Sequence, residues 1–308
     1  MESSQVIVVG AAGMDTKGRP RKALVPGTSN PGDIRISVGG VGRNIAESLA
    51  RMGVHTTLLS AVGDDEWGQR ILECTAAGGV DVSQVLIKAD PPSAAYLAIL
   101  DEAGEKSISI DDMDIMESVT PQYIYARRRL IKEADMVVMD ANLSPQAMRS
   151  LISTAQKYDV PVCADPTSAI LAQRLIKHLP ALYMITPDAS EAEALCERGT
   201  SDRAEAMEAA KRLVALGVEI AIITLAEKGL CYATSEVSGY IPAIRSEVAD
   251  RTGAGDALTA GVVFGLLNDF PIDEAVRLGV SAATLTLQSK ETVCPDLSLE
   301  RLYDQLVI

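Results

Sequence analysis

The chain has 308 residues, enough for one large α/β domain or two small ones with an ample core. Hydrophobic residues make up 47% and aromatics only 4%, so it is globular and its core rests on Leu, Ile, Val, Ala and Met. A net charge of −14 argues against a nucleic-acid polymer as partner, yet leaves room for a nucleotide whose phosphates are neutralised by metal and N–H groups.

Residues 1–5 lack the basic flank and apolar core of a signal peptide, and no apolar stretch is long enough to span a membrane. The expectation is therefore a cytoplasmic protein. Residues 6–9 are wholly apolar, as in a strand buried on both faces. By composition 14–36 is a loop, rich in Gly, Pro and basic residues. The apolar run 34–38 leads into a helix whose buried face is Ile45, Leu49 and Met52. Further apolar runs follow at 57–61, 136–139, 160–163, 182–185 and 220–225, with an alternating hairpin pattern inside 93–116. Amphipathic segments at 66–77, 145–158, 169–177 and 202–216 separate most of them, which implies a parallel sheet with helices on both faces. Ligands of such sheets bind beyond the carboxyl ends of the strands, placing Asp15, Asp140, Asp165 and Thr224 near one edge. Five scattered cysteines without C-x-x-C spacing read as core thiols, and two histidines leave little for a His-rich metal site or a catalytic triad.

Two segments carry chemistry. In Gly39-Gly40-Val41-Gly42-Arg43-Asn44-Ile45-Ala46 the glycines let a ligand lie against the backbone, and Asn44 offers a donor and an acceptor to sugar hydroxyls. A tight strand-to-helix turn would explain the same residues. In Asp250-Arg251-Thr252-Gly253-Ala254-Gly255-Asp256 two carboxylates bracket a turn that opens a helix. The N–H groups of Gly253, Ala254 and Gly255, with the helix dipole, form a receptor for phosphate. Asp256 beside it can take a proton from an attacking hydroxyl, or simply cap the helix. Together the pieces suggest a small-molecule kinase. Neither segment is a P-loop, and Gly10-Ala11-Ala12-Gly13 does not complete the dinucleotide fingerprint of an NAD-binding oxidoreductase.

These two motifs, in this order and separation, resemble those of the PfkB-type carbohydrate kinases of the ribokinase-like fold, a likeness that covers essentially the whole chain. Ser29-Asn30-Pro31-Gly32, Gly39 to Glu47, Leu59-Ser60-Ala61-Val62-Gly63, Ile110-Asp111-Asp112-Met113, Asp140-Ala141-Asn142, Asp165-Pro166 and Pro295-Asp296-Leu297-Ser298 resemble segments of pseudouridine kinases. General sugar kinases share only some of these.

The resemblance implies a single α/β/α sandwich with a mostly parallel central sheet. The segments 14–36 and 93–116 would form a small β-sheet lid over the sugar site, through which two copies would pair as a homodimer. It implies ATP-dependent phosphorylation of a ribonucleoside 5′-hydroxyl, with pseudouridine as the acceptor and Asp256 as general base. Asp15, Asn44, Gly39 and Gly40 would bind the sugar; Asn30, Asp112 and Asn142 are candidates for base or ribose contacts, or turn residues. On the nucleotide side would stand Thr224, Gly229 and Asp188, with Glu191 holding Mg²⁺ through water. Asp250 and the Thr252 carbonyl would hold K⁺. The chain departs from the family pattern at Ala226, where glycine is usual, and at Asp188, where the N-x-x-E motif has Asn. Pocket residues of the lid leave open another family kinase acting on uridine, inosine, adenosine or ribose, and the two departures leave open a non-catalytic nucleoside-binding regulator.

Overall fold

Wholly apolar runs become central strands here because both of their faces are covered. The computed structural model describes residues 4–104 and 106–306; residues 1–3, where the N-terminal reading begins, lie outside them. Its strands are β1 (Gln5–Val9), β2 (Gly13–Pro20), β3 (Gly32–Gly39), β4 (His55–Leu59), β5 (Ala61–Gly63), β6 (Leu86–Lys88) and β7 (Ala94–Leu100). They continue with β8 (Lys106–Asp112), β9 (Met136–Asp140), β10 (Val162–Asp165), β11 (Met184–Ile185), β12 (Ile220–Thr224), β13 (Leu230–Ala233) and β14 (Ser238–Ile241).

Eight strands form the central sheet in the order β14-β13-β12-β11-β10-β9-β1-β4. From β4 to β12 every pairing is parallel, whereas β13 and β14 are added antiparallel at one edge. That antiparallel edge was absent from the expectation. Alternation in β1 sends Val6 and Val8 into one core with Ile45, Leu49, Val262 and Leu278. Ile7 and Val9 point into a second core with Leu151, Ile152 and Leu213. Each fully buried aliphatic side chain contributes roughly 1.5–3 kcal/mol, so both layers stabilise the sheet. The order of layers is helix, sheet, helix, as expected. Among the described residues no helix is long and apolar enough to cross a membrane.

A separate four-stranded sheet, in the order β3-β2-β7-β8, forms the lid. Residues 14–36, a loop by composition, are mostly two paired strands, because β2 gains β3 on one side and β7 on the other. The hairpin read in 93–116 is present as β7 and β8. Side chains alternate across this thin sheet. One face carries the rows Ser37-Asp15-Tyr96-Asp111 and Arg35-Lys17-Ala98-Ser109. The other carries Ile34, Ile36, Leu97, Ile108 and Ile110, all exposed.

Candidate active site

The glycine segment turns sharply at Gly40, whose φ of 97° lies in the region that favours glycine and whose missing Cβ leaves room for the Ala11 carbonyl. Helix Val41–Arg51 begins at once, and Asp140, at the carboxyl end of β9, is buried beneath it. One Asp140 oxygen accepts from the Ala11 N–H at 2.7 Å and the Gly42 N–H at 2.9 Å; the other accepts from the Asn142 N–H at 2.9 Å. A single carboxylate thus ties together the loops after β1, β3 and β9. Asn142 is placed here, in the turn that Asp140 closes.

Asn44 lies in the first turn of that helix. Its carbonyl accepts from the Arg43 guanidinium at 3.0 Å, and Arg43 is itself held by Glu47. With the oxygen engaged, the amide nitrogen donates to Asp256 Oδ2 at 2.7 Å, across 212 residues of sequence. The two motifs therefore meet. Asp256 does not cap its helix: Ala254–Leu267 starts at Gly253, with φ 82° and no side-chain cap. The first-turn N–H groups have no carbonyl within the helix, so they face the site as donors. Gly253 is required twice over, because a Cβ there would also run into the Thr292 carbonyl.

Burial and negative neighbours dominate the electrostatics. Desolvation holds the Asp256 carboxyl well above its ordinary range, and Asp165 adds to this while Asn44 opposes it. Asp165, at the end of β10, is pushed up to about 7 by burial and by the charges of Asp140 and Asp188. Glu191 is pushed up to about 9 by burial, then by Asp165 and Asp188. Asp15 stands on the inner lid face, and burial raises it to about 6 against the attraction of Lys17 and Arg43. Asp165, expected at the ligand-binding edge but given no role there, ends β10 beside Asp140 in register.

The nucleotide-side residues also converge. Asp188 makes a bridge with Thr224, whose N–H donates to the Pro187 carbonyl at 3.0 Å. Asp188 and Glu191 form a capping box at helix Ala189–Cys196, each side chain accepting from the other's N–H at 2.8 Å. The Asn-to-Asp change thus preserves the cap. Ala226 adopts φ 51° in the turn from β12 to β13, which closes with the Gly229 carbonyl accepting from the Leu225 N–H at 2.8 Å. Alanine is accommodated in a left-handed conformation that glycine would take freely.

Three expectations change. Asn30 spends its amide on its own loop, accepting from the Val25 N–H at 2.8 Å and donating to the Val25 and Thr28 carbonyls. Asp112 pairs with Ala95 on the lid face opposite Asp15, and its neighbour Asp111 occupies the Asp15 face instead; a one-residue step in a strand exchanges faces. Asp250 does not present a vacant carboxylate to K⁺: both oxygens accept from Lys17 Nζ at 2.9 Å. Gly39, by contrast, lies against the Asp15 carboxylate, as a sugar-lining glycine would.

Comparison with known proteins places this geometry in a family. Residues 3–297 match the pfkB family carbohydrate kinases. Pseudouridine kinase from Escherichia coli strain K12 is 34% identical over 299 residues, covering 97% of this chain and 95% of that protein. Guanosine-inosine kinase from Exiguobacterium acetylicum is 28% identical over 294 residues, covering 94% of this chain and 96% of that one. The structure of Arabidopsis thaliana ribokinase, complexed with ribose and ATP, has the same fold with a TM-score of 0.86 at 21% identity, covering 100% of both chains. An Asn and an Asp joined at a helix N-terminus, under a β-sheet lid on a ribokinase-like core, thus agree with the sequence match, and the chain belongs to the pfkB family of carbohydrate kinases, phosphotransferases that act on hydroxyl groups.

Proposed function

We propose that this kinase transfers the γ-phosphoryl group of ATP to the 5′-hydroxyl of a ribonucleoside, with pseudouridine as its acceptor. The carrying observation is the 2.7 Å contact between Asn44 and Asp256 at a helix N-terminus lined with free N–H donors. The choice of nucleoside follows the 34% identity to a pseudouridine kinase.

Asp256 accepts the proton of the acceptor hydroxyl as that oxygen bonds to the γ-phosphorus and the bond to the bridging oxygen of ADP breaks. Its raised affinity for a proton suits this role. Asn44 holds the Asp256 carboxylate in place, and Asp15 with Asn44 orients the ribose hydroxyls. The N–H groups of Gly253, Ala254 and Gly255 stabilise charge on the transferred group. Thr224, Asp188 and Gly229 flank the nucleotide. Buried carboxylates gather on this side, and the charge of Asp165 raises the proton affinity of both Glu191 and Asp256. Glu191 would hold Mg²⁺ there through water, and the ion when bound neutralises charge on the phosphates.

The apolar outer lid face, with Ile34 76% and Ile110 65% exposed, is read as the surface through which two copies pair. Ile108→Lys should shift a dimer toward monomer in sedimentation; a monomeric native chain would remove the reading.

The deciding experiment is ADP release with Mg²⁺-ATP across pseudouridine, uridine, cytidine, inosine, guanosine, adenosine and ribose, with Asp256→Asn as blank. Preference for pseudouridine, lost in the variant, supports the reading. Preference for another acceptor keeps the mechanism and replaces the substrate. Binding without turnover would favour a regulator.

A further inference from the structure

The lid reaches down to the phosphate-binding turn through one ammonium group. Lys17, on β2, donates to both Asp250 oxygens at 2.9 Å and also contacts the Thr252 hydroxyl. The Thr252 N–H in turn donates to Asp250 Oδ1 at 2.9 Å. Arg35, directly opposite Lys17 in the β2–β3 ladder, brings its guanidinium to 3.9 Å from Asp250 and to 3.2 Å from Glu291. The cluster is shielded, with the Lys17 side chain 13% and Asp250 18% exposed. Gly253, which opens the helix carrying Asp256, directly follows Thr252 in the chain.

Such a site does not suit a dissociable monovalent cation on the Asp250 carboxylate. Any ion there would face two cationic side chains already drawn to the same oxygens, and like charges in a shielded site repel. The work such an ion would do, fixing the turn from Asp250 to Gly253, is done by Lys17. Strand β2 also carries Asp15 two residues earlier, on the same face.

We infer that Lys17 is a tethered replacement for a dissociable monovalent cation, and that it couples the acceptor-binding lid to the geometry of the anion site. The inference rests on the phosphotransferase reading of that site. Lys17 is a positioning residue: it acts through Asp250 and Thr252. Turnover of the native enzyme is therefore independent of K⁺.

The test compares the full chain in KCl and in tetramethylammonium chloride at equal ionic strength. Native turnover should be the same in both. Lys17→Met should lower kcat by roughly tenfold to a hundredfold, the scale set by a small misplacement of reacting groups, with a smaller change in acceptor KM. Its rate should recover in KCl, while Lys17→Arg should keep most of kcat and stay insensitive to the cation. Melting temperature supplies a readout without turnover: KCl should raise that of Lys17→Met and leave the native protein unchanged. A native enzyme that needs K⁺, a native melting temperature that rises in KCl, or a Lys17→Met rate that ignores the cation would each overturn the inference. If Lys17→Met does not fold, the native comparisons and Lys17→Arg still decide. Should no acceptor turn over at all, the kinase reading fails, and the melting comparison still judges the tether.

Discussion

The acceptor side and the nucleotide side of this site are built on opposite principles. Around the acceptor, polar groups are already paired with one another: Asp140 with three backbone N–H groups, Asn44 with Asp256, Lys17 with Asp250. On the nucleotide side, Asp165 and Glu191 face like charges and hold their protons up to about 7 and about 9. The first region is organised before any ligand arrives; the second keeps like charges close together without a cationic partner of the kind Asp250 has in Lys17. A kinase needs both, since the acceptor must be aligned and the phosphates neutralised.

The largest effect should come from the residue shared by both regions. Asp256→Asn should lower kcat by roughly 100- to 10,000-fold in an ADP-release assay, the usual worth of a general base. Its melting temperature should hold or rise, because a buried carboxylate with raised proton affinity is removed. A variant that keeps its turnover would remove the base from the mechanism. Asp140→Ala attacks the organised side instead. It strands buried N–H groups of Ala11 and Gly42, and should cost about 2–4 kcal/mol in urea unfolding.

The unfinished side should respond to pH. Asp165 and Glu191 bind protons more tightly folded than unfolded, so their stabilising contribution is complete below about pH 4 and is lost as pH rises through 7 and 9. Metal-free protein should therefore melt progressively lower from pH 6 to 9, and Mg²⁺ or Glu191→Gln should flatten the decline. A flat metal-free profile would mean these carboxylates are not so close in charge. Asp15 gives the acceptor side its own signature. It is protonated below about pH 6 and then accepts poorly, so acceptor KM should climb as pH falls through that value. The smallest effect is expected at Asp188→Asn, which keeps the cap and removes one charge; KM for ATP should fall by a few-fold, and an unchanged value would detach Asp188 from the phosphates.

Legibility followed the range of the interactions. Residues 6–9 could be read as a buried strand because their composition alone demands two covered faces. The Gly-rich turns were visible for the same local reason. Lid strand β2 was not, since Gly13–Pro20 has poor strand composition and is held by β3 and β7 on either side. Register escaped too: nothing local says that Asp111, and not Asp112, shares a face with Asp15. Lys17 and Asp250 are 233 residues apart, and no motif joins them. The family likeness put Asn44 with the sugar and Asp256 at the reacting hydroxyl; their direct contact and the Lys17–Asp250 pair came from the fold.

The isoleucines on the outside of the lid carry a consequence for concentration. If a second copy covers them, occupancy of that contact follows mass action, whereas the central sheet does not. Dilution would then strip the lid of its support long before the core unfolds, and specific activity would fall with protein concentration while far-ultraviolet circular dichroism stayed constant. Were the thin sheet to lean on a neighbour in this way, catalysis would be a collective property of a population of chains.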